Sequence, residues 1–194
     1  MEDLGRCRHL CVDMQRMFAE ATPWQIPWMQ RVREPVAALS EVHADKTIFT
    51  RFLPPKTPGD AFGSWREYYE KWPMMTRSQL GDEMGDIIPE LRALVPPATV
   101  FDKMTYSPWL DGRLHAYLQH EEVTTLVISG GETDVCVLAT VIGAVDLGYY
   151  IILLQDAICS TSDETHDASL SLFGSRFSSQ LRLARVEDIL SSWA

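Results

Sequence analysis

Residues 124–160 read TTLVISGGETDVCVLATVIGAVDLGYYIILLQDAICS, and the rest of the chain is arranged around this stretch. Leu126, Val127 and Ile128 form a continuous apolar run, which suits a strand buried on both faces. Gly130 and Gly131 interrupt it with backbone freedom that other residues lack. Thr133 and Asp134 are candidate caps for a helix whose apolar positions are Val135, Leu138, Ala139, Ile142 and Val145. Gly148 ends that helix, and Tyr150 to Leu154 return to a buried strand. Cys136 falls in the helix's first turn, at the positive end of the helix dipole, where a thiolate is favoured. It is the leading candidate for a nucleophile.

A chain of 194 residues can bury one full core, and a single domain over residues 1–194 is expected. The hydrophobic fraction of 46% and charged fraction of 23% are those of an ordinary globular protein. A net charge of −10 argues against nucleic acid or an anionic membrane as the main partner and says nothing positive about the ligand; a small-molecule substrate is expected from the site chemistry below. No stretch approaches the ~20 apolar residues that cross a bilayer. No secretory signal precedes Cys7, so a cytoplasmic location is expected. Four cysteines in a chain of this length do not resemble a disulfide framework.

Taken in order, Leu10 to Val12 form a short strand that ends at Asp13, a carboxylate suited either to a ligand site or to capping the next segment. Residues 24–43 have helical spacing, with Pro35 at a break or a start. Thr47 to Thr50 form a second strand that delivers Arg51 and Phe52 to the same edge. Leu53 to Thr76, with Pro54, Pro55, Pro58 and Pro73 beside Trp65, Tyr68, Tyr69 and Trp72, is too long for an ordinary connection and too aromatic for disorder. It is expected to be an ordered excursion with a short helix from Trp65 to Lys71, covering its own site or packing on a neighbouring subunit. A helix over Ile87–Val95, a third strand over Thr99–Phe101 ending in Asp102 and Lys103, and a helix over Arg113–His120 come next. After the central unit, Thr161 and Glu164 fit a capping box for a helix to about Ser179. Leu181 to Val186 and Glu187 to Trp193 then supply a last strand and helix. Alternation of this kind predicts a doubly wound, three-layer α/β fold with a mostly parallel six-stranded sheet.

Three strand ends thus present a carboxylate, an amine and a thiol: Asp13, Lys103 and Cys136. A thiolate attacks a carbonyl carbon, a neighbouring carboxylate can take its proton and pass it to a departing amine, and an ammonium steadies both negative groups. Backbone amides in the Gly130–Thr133 turn and at the helix start are candidates for an oxyanion hole.

Asp13-Met14-Gln15, Lys103, and Gly130-Gly131-Glu132-Thr133-Asp134-Val135-Cys136-Val137, followed by Gly148-Tyr149 and Asp156-Ala157, resemble the isochorismatase-like cysteine hydrolase superfamily over nearly the whole chain. The resemblance implies a parallel sheet flanked by helices, and assembly as a homodimer or homotetramer. It also implies Cys136 as nucleophile, Asp13 as proton shuttle and Lys103 as the charge that organises them. Family members carry a cis peptide four residues before the cysteine. Here that is the Gly131–Glu132 bond, which would turn the Glu132 amide towards the oxyanion beside the Cys136 amide.

Departures narrow the reaction. Nicotinamidases of the superfamily carry Asp-x-His after the second strand and bind a metal, whereas this chain has Thr50-Arg51-Phe52-Leu53-Pro54 there. His9, His43, His115, His120 and His166 show no ligand spacing, so neither metal nor other cofactor is expected. Retention of Cys136 favours hydrolysis of an amide, ureido or carbamoyl C–N bond through an acyl-enzyme. A vinyl-ether hydrolase of the isochorismatase type and a non-catalytic binding module are the alternatives. Cys7, Cys11 and Cys159 are expected to be buried structural thiols. Arg51 is a candidate for gripping a substrate carboxylate or for a salt bridge within the loop. Phe18, Trp65, Tyr106 and Trp109 are candidates for lining the pocket, and the Glu132 side chain has no assigned role.

Overall fold

The computed structural model describes residues 4–193. Its strands are β1 (Cys7–Val12), β2 (Thr47–Phe52), β3 (Thr99–Lys103), β4 (Thr125–Gly131), β5 (Tyr150–Cys159) and β6 (Leu181–Ala184). Every pairing is parallel, in the order β3-β2-β1-β4-β5-β6. The helices are α1 (Arg16–Ala19), α2 (Met29–Val42), α3 (Ser64–Lys71), α4 (Arg77–Leu80), α5 (Pro89–Arg92), α6 (Arg113–His120), α7 (Leu138–Asp146), α8 (Asp163–Arg176) and α9 (Val186–Ser192).

Alternation along the central strands produces the three layers. Val127, Ile152 and Leu154 face a core that includes Val32, Val36 and Leu39 of α2 and Ile189 of α9. Leu126, Ile128, Ile151 and Leu153 face the other side, with Leu118 of α6, Val141 of α7 and Phe173 of α8. A continuous apolar run is therefore what a strand between two helix layers requires. A third, smaller core gathers Met17, Phe52, Tyr69 and Met75, with Trp24, Trp65, Tyr68 and Trp72 packed on it. The proline- and aromatic-rich excursion thus folds over the strand ends of its own chain.

Several boundaries differ from the sequence expectation, each because a local partner wins. The helix expected over 87–95 shrinks to α5, since the Ile88 amide donates to the Met14 carbonyl (3.0 Å) and the Ile87 amide to the Asp86 carboxylate (2.9 Å). The expected capping box at Thr161 is displaced by one residue: Ser162 is the N-cap of α8, and Thr161 turns towards Glu132. The last strand stops at Ala184, and Asp156 accepts the Val186 amide at 3.0 Å. Pro35 lies inside α2, which begins only at Met29.

The order of strands reverses between β1 and β4, the switch point at which open α/β sheets bind ligands. The two strands approach closely there. Gly130 has φ +114°, and a Cβ on it would stand 2.0 Å from the Val12 carbonyl oxygen. Gly148 has φ +87° but no atom within 4 Å of an added Cβ. Gly130→Ala should therefore cost about 3 kcal/mol or more, on the order of 10 °C in Tm, because strands must separate. Gly148→Ala should cost only about 1 kcal/mol of backbone strain. Equal losses in thermal melts of the two variants would contradict this packing.

Candidate active site

Asp13 leaves β1 with φ +50°, a conformation that non-glycine residues adopt rarely and Asp more readily than most. This aims its carboxylate along the carboxyl edge, where it is fully buried. Thr50 of β2 donates from Oγ1 to Asp13 Oδ1 at 2.6 Å and accepts the Asp13 amide at 3.2 Å. Lys103, at the end of β3, donates from Nζ to Asp13 Oδ2 at 2.6 Å, with both side chains almost wholly buried. Its other ammonium hydrogens go to the Thr105 and Tyr106 carbonyls, each at 3.0 Å. Three strands thus converge on one carboxylate. Thr50 was not singled out in the sequence, although it precedes Arg51 and must point to the opposite face of β2.

Cys136 reaches the same cluster from beyond β4. The segment Thr133–Val137 forms a π-helical turn that runs into α7. Thr133 and Asp134 pin this turn rather than cap it. The Thr133 hydroxyl donates to the Cys159 carbonyl at 3.1 Å, so His166 Nδ1, 2.9 Å from that hydroxyl, must be the donor to it. The Asp134 carboxylate accepts from Ser160 and Thr165. The Val135 and Val137 amides both donate to the Glu132 carbonyl, at 3.1 and 2.9 Å, and the Gly131–Glu132 peptide is cis. Cys136 is 7% exposed, opening into a cavity of about 360 Å³.

The electrostatics of the cluster oppose the helix-start preference for thiolate. Burial pushes the Cys136 thiol up, and the adjacent Asp13 carboxylate raises it further; Lys103 pulls it down without prevailing. Burial pulls the Lys103 ammonium down, but negative charge nearby, Asp13 foremost, outweighs this and leaves it above the ordinary lysine value. The raised thiol thus stands beside the Asp13 carboxylate, which is itself paired with the Lys103 ammonium.

The cavity separates the candidate pocket residues. Phe18 and Tyr106 line it, together with Trp24, Phe52, Tyr68 and Trp72. Trp65 does not line it; the ring packs behind the wall, 4.9 Å from Tyr106 and 6.2 Å from Phe52, centroid to centroid. Trp109 is directed elsewhere: its Nε1 donates to the Thr140 carbonyl at 2.9 Å and its ring lies against Gly143 and Tyr149. Arg51 grips no substrate position, because a bidentate pair with Asp102 (2.7 and 3.0 Å) and a bond to Asp86 (3.0 Å) hold it. Glu132, Val135 and Thr161 complete the wall near Cys136. A larger cavity of about 470 Å³ lies on the other side of Lys103, lined by Leu53, Arg77, Met104 and Leu110, and does not reach Cys136.

Cys7, Cys11 and Cys159 are buried free thiols, and burial pushes Cys7 and Cys11 up to about 12. Among the histidines, His9 is buried between Thr47 and Ser129, and His115 meets the Tyr149 hydroxyl at 2.8 Å. The place where a nicotinamidase metal would be held offers Arg51, Phe52 and Leu53, of which the arginine is ion-paired and the others are apolar. These residues do not fit a metal. Among the described residues no helix is long and apolar enough to cross a membrane.

Fold and site together define a three-layer, all-parallel α/β protein with a buried carboxylate–ammonium–thiol cluster at its switch point. Residues 8–184 match the isochorismatase domain model, and the chain belongs to that family. It is similar to the crystal structure of a cysteine hydrolase from Pseudomonas syringae pv. phaseolicola, with TM-score 0.85 and 21% identity over 98% of this chain and 93% of the other. It also resembles the N-carbamoylsarcosine amidase of Thermoplasma acidophilum, with TM-score 0.76 and 19% identity over 94% and 98%. A curated relative, the secreted isochorismatase effector Isc1 of Phytophthora sojae, is 28% identical over 102 residues, 50% of this chain and 49% of that protein. The chain spans about half or less of the length of the curated relatives it matches.

Since Asp13 raises the Cys136 thiol and Lys103 lowers it, replacing each should move the thiol in opposite directions. Asp13→Asn is expected to shift the pH profile of Cys136 alkylation by iodoacetamide, followed by peptide mass spectrometry, to lower pH; Lys103→Met shifts it higher. An Asp13→Asn profile that stays in place or rises contradicts the arrangement.

Proposed function

We propose that this protein is a metal-independent cysteine hydrolase that cleaves the C–N bond of a small amide, ureido or carbamoyl compound through an acyl-enzyme. The observation that carries this reading is the buried Lys103–Asp13 pair beside the Cys136 thiol at the wall of an aromatic-lined cavity. Leaving such charges buried costs several kcal/mol unless geometry offsets it.

The steps follow from the protonation states. Asp13 takes the Cys136 proton as sulfur attacks the carbonyl carbon, so charge on the thiolate appears only as it is used. Lys103 keeps the carboxylate placed and balances the negative charge. The oxygen of the tetrahedral intermediate is received by the Glu132 and Cys136 amides, each such donor being worth about 3 kcal/mol. Asp13 passes the proton to the nitrogen, the C–N bond breaks and the amine or ammonia leaves. A water molecule, deprotonated by Asp13, then attacks the thioester; the acid product departs and the thiol regains its proton. The amidase among the structural neighbours supports the same bond class.

Cys136→Ala should abolish ammonia release from a panel of primary carboxamides and ureido compounds while leaving circular dichroism unchanged. Asp13→Asn and Lys103→Ala should each lower kcat/KM by about a thousandfold or more. Dialysis against a chelator should leave the rate unaltered. Retained turnover in Cys136→Ala would overturn the acyl-enzyme route.

A further inference from the structure

The wall of the Cys136 cavity carries one carboxylate and, among the described residues, no arginine, lysine or histidine. That carboxylate is Glu132. Thr161 Oγ1 donates to its Oε1 at 2.8 Å, which fixes the side chain without neutralising it. Burial raises its pKa, hydrogen bonds from Thr161 work against this, and neighbouring Asp134 raises it further, so the charged form is only partly compensated and has no cationic partner on the cavity wall. Its negative charge is felt at Cys136 as well, which places it within electrostatic reach of the reacting carbonyl.

The nearest cations are committed elsewhere. Lys103 gives its three hydrogens to Asp13, Thr105 and Tyr106, and Arg51 is held by Asp86 and Asp102. The opposing walls are ring faces and edges from Phe18, Trp24, Tyr68, Trp72 and Tyr106. Aromatic rings around a single carboxylate attract a cation by ring quadrupole and Coulomb force, whereas an anion would meet the repulsion of Glu132 with only neutral donors such as the unpartnered Trp24 indole N–H to receive it. The overall charge of −10 acts in the same direction on an approaching ligand.

Resting on the hydrolase reading above, we infer that Glu132 is the specificity-determining residue of this site, and that the substrate is a carboxamide or ureido compound bearing a protonated amine. The reacting carbonyl lies at Cys136 while the ammonium pairs with Glu132 between the rings. Substrates bearing a carboxylate are turned away.

Binding to the Cys136→Ala protein tests this without any need for turnover. The probes are three ligands with one body and different charge: benzamide, 4-(aminomethyl)benzamide and 4-carboxybenzamide, titrated by calorimetry and tryptophan fluorescence. The cationic probe should bind about tenfold tighter than the neutral one, and the anionic probe at least about tenfold more weakly. Adding Glu132→Gln should bring the cationic and neutral probes within about twofold of each other. With Glu132 in place, 0.5 M NaCl should narrow the same gap, on the order of threefold or more. Equal or reversed ranking, a ranking that Glu132→Gln leaves untouched, or no binding by any probe would overturn the inference. Failure of the underlying reading shows differently, as turnover that survives Cys136→Ala.

Discussion

One buried ion pair constrains the whole carboxyl edge. Lys103 Nζ and Asp13 Oδ2 stand 2.6 Å apart in side chains that are 5% and 1% exposed, and neither charge can be left alone there. Removing one partner of such a pair typically costs 3–5 kcal/mol, since the survivor is stranded in a poor solvent for ions. The pair therefore needs β1 and β3 held in place with β2 between them, and Thr50 of β2 fills the remaining carboxylate position. Tight packing at Gly130 brings β4 against β1 and sets the path of the π-helical turn that delivers Cys136.

The second constraint is dryness. A thiol held protonated by burial and by Asp13 is useful only if its proton is taken at the moment of attack, and water would compete for both groups. The excursion after β2 supplies the cover. Its rings form their own small core around Phe52, Tyr69 and Met75, and Tyr68 and Trp72, packed on that core, line the cavity. Gln15 ties this cover to β1: its side chain donates to the Phe52 and Gly85 carbonyls at 2.9 and 2.6 Å and accepts the Phe52 amide at 2.7 Å.

What the sequence revealed and what it hid follow from the range of the interactions. The strands, the parallel alternation and the three strand-end residues were legible, because apolar runs and the Gly130–Val137 block are local signals. Sequence leaves Arg51 open between a substrate carboxylate and a salt bridge, and offers Trp109 as a pocket residue, because their partners, Asp102, Asp86 and the Thr140 carbonyl, come from distant segments. The same limit hid Trp24, Tyr68 and Trp72, whose side-chain directions are set by packing within an irregular segment. The upward push on the Cys136 thiol is hidden for a different reason. A helix start favours thiolate in general, yet burial and an adjacent carboxylate outweigh it here, and neither is visible before the fold is known.

The central claim is that Cys136 becomes covalently acylated with Asp13 handling the proton. The most direct measurement is intact-protein mass spectrometry after acid quench of the enzyme mixed with a hydrolysed amide, followed by peptide mapping. A transient mass increase equal to the acyl group is expected on Cys136, decaying with release of the acid. Turnover of the same substrate with no adduct under rapid quench, or an adduct on any other residue, would contradict it.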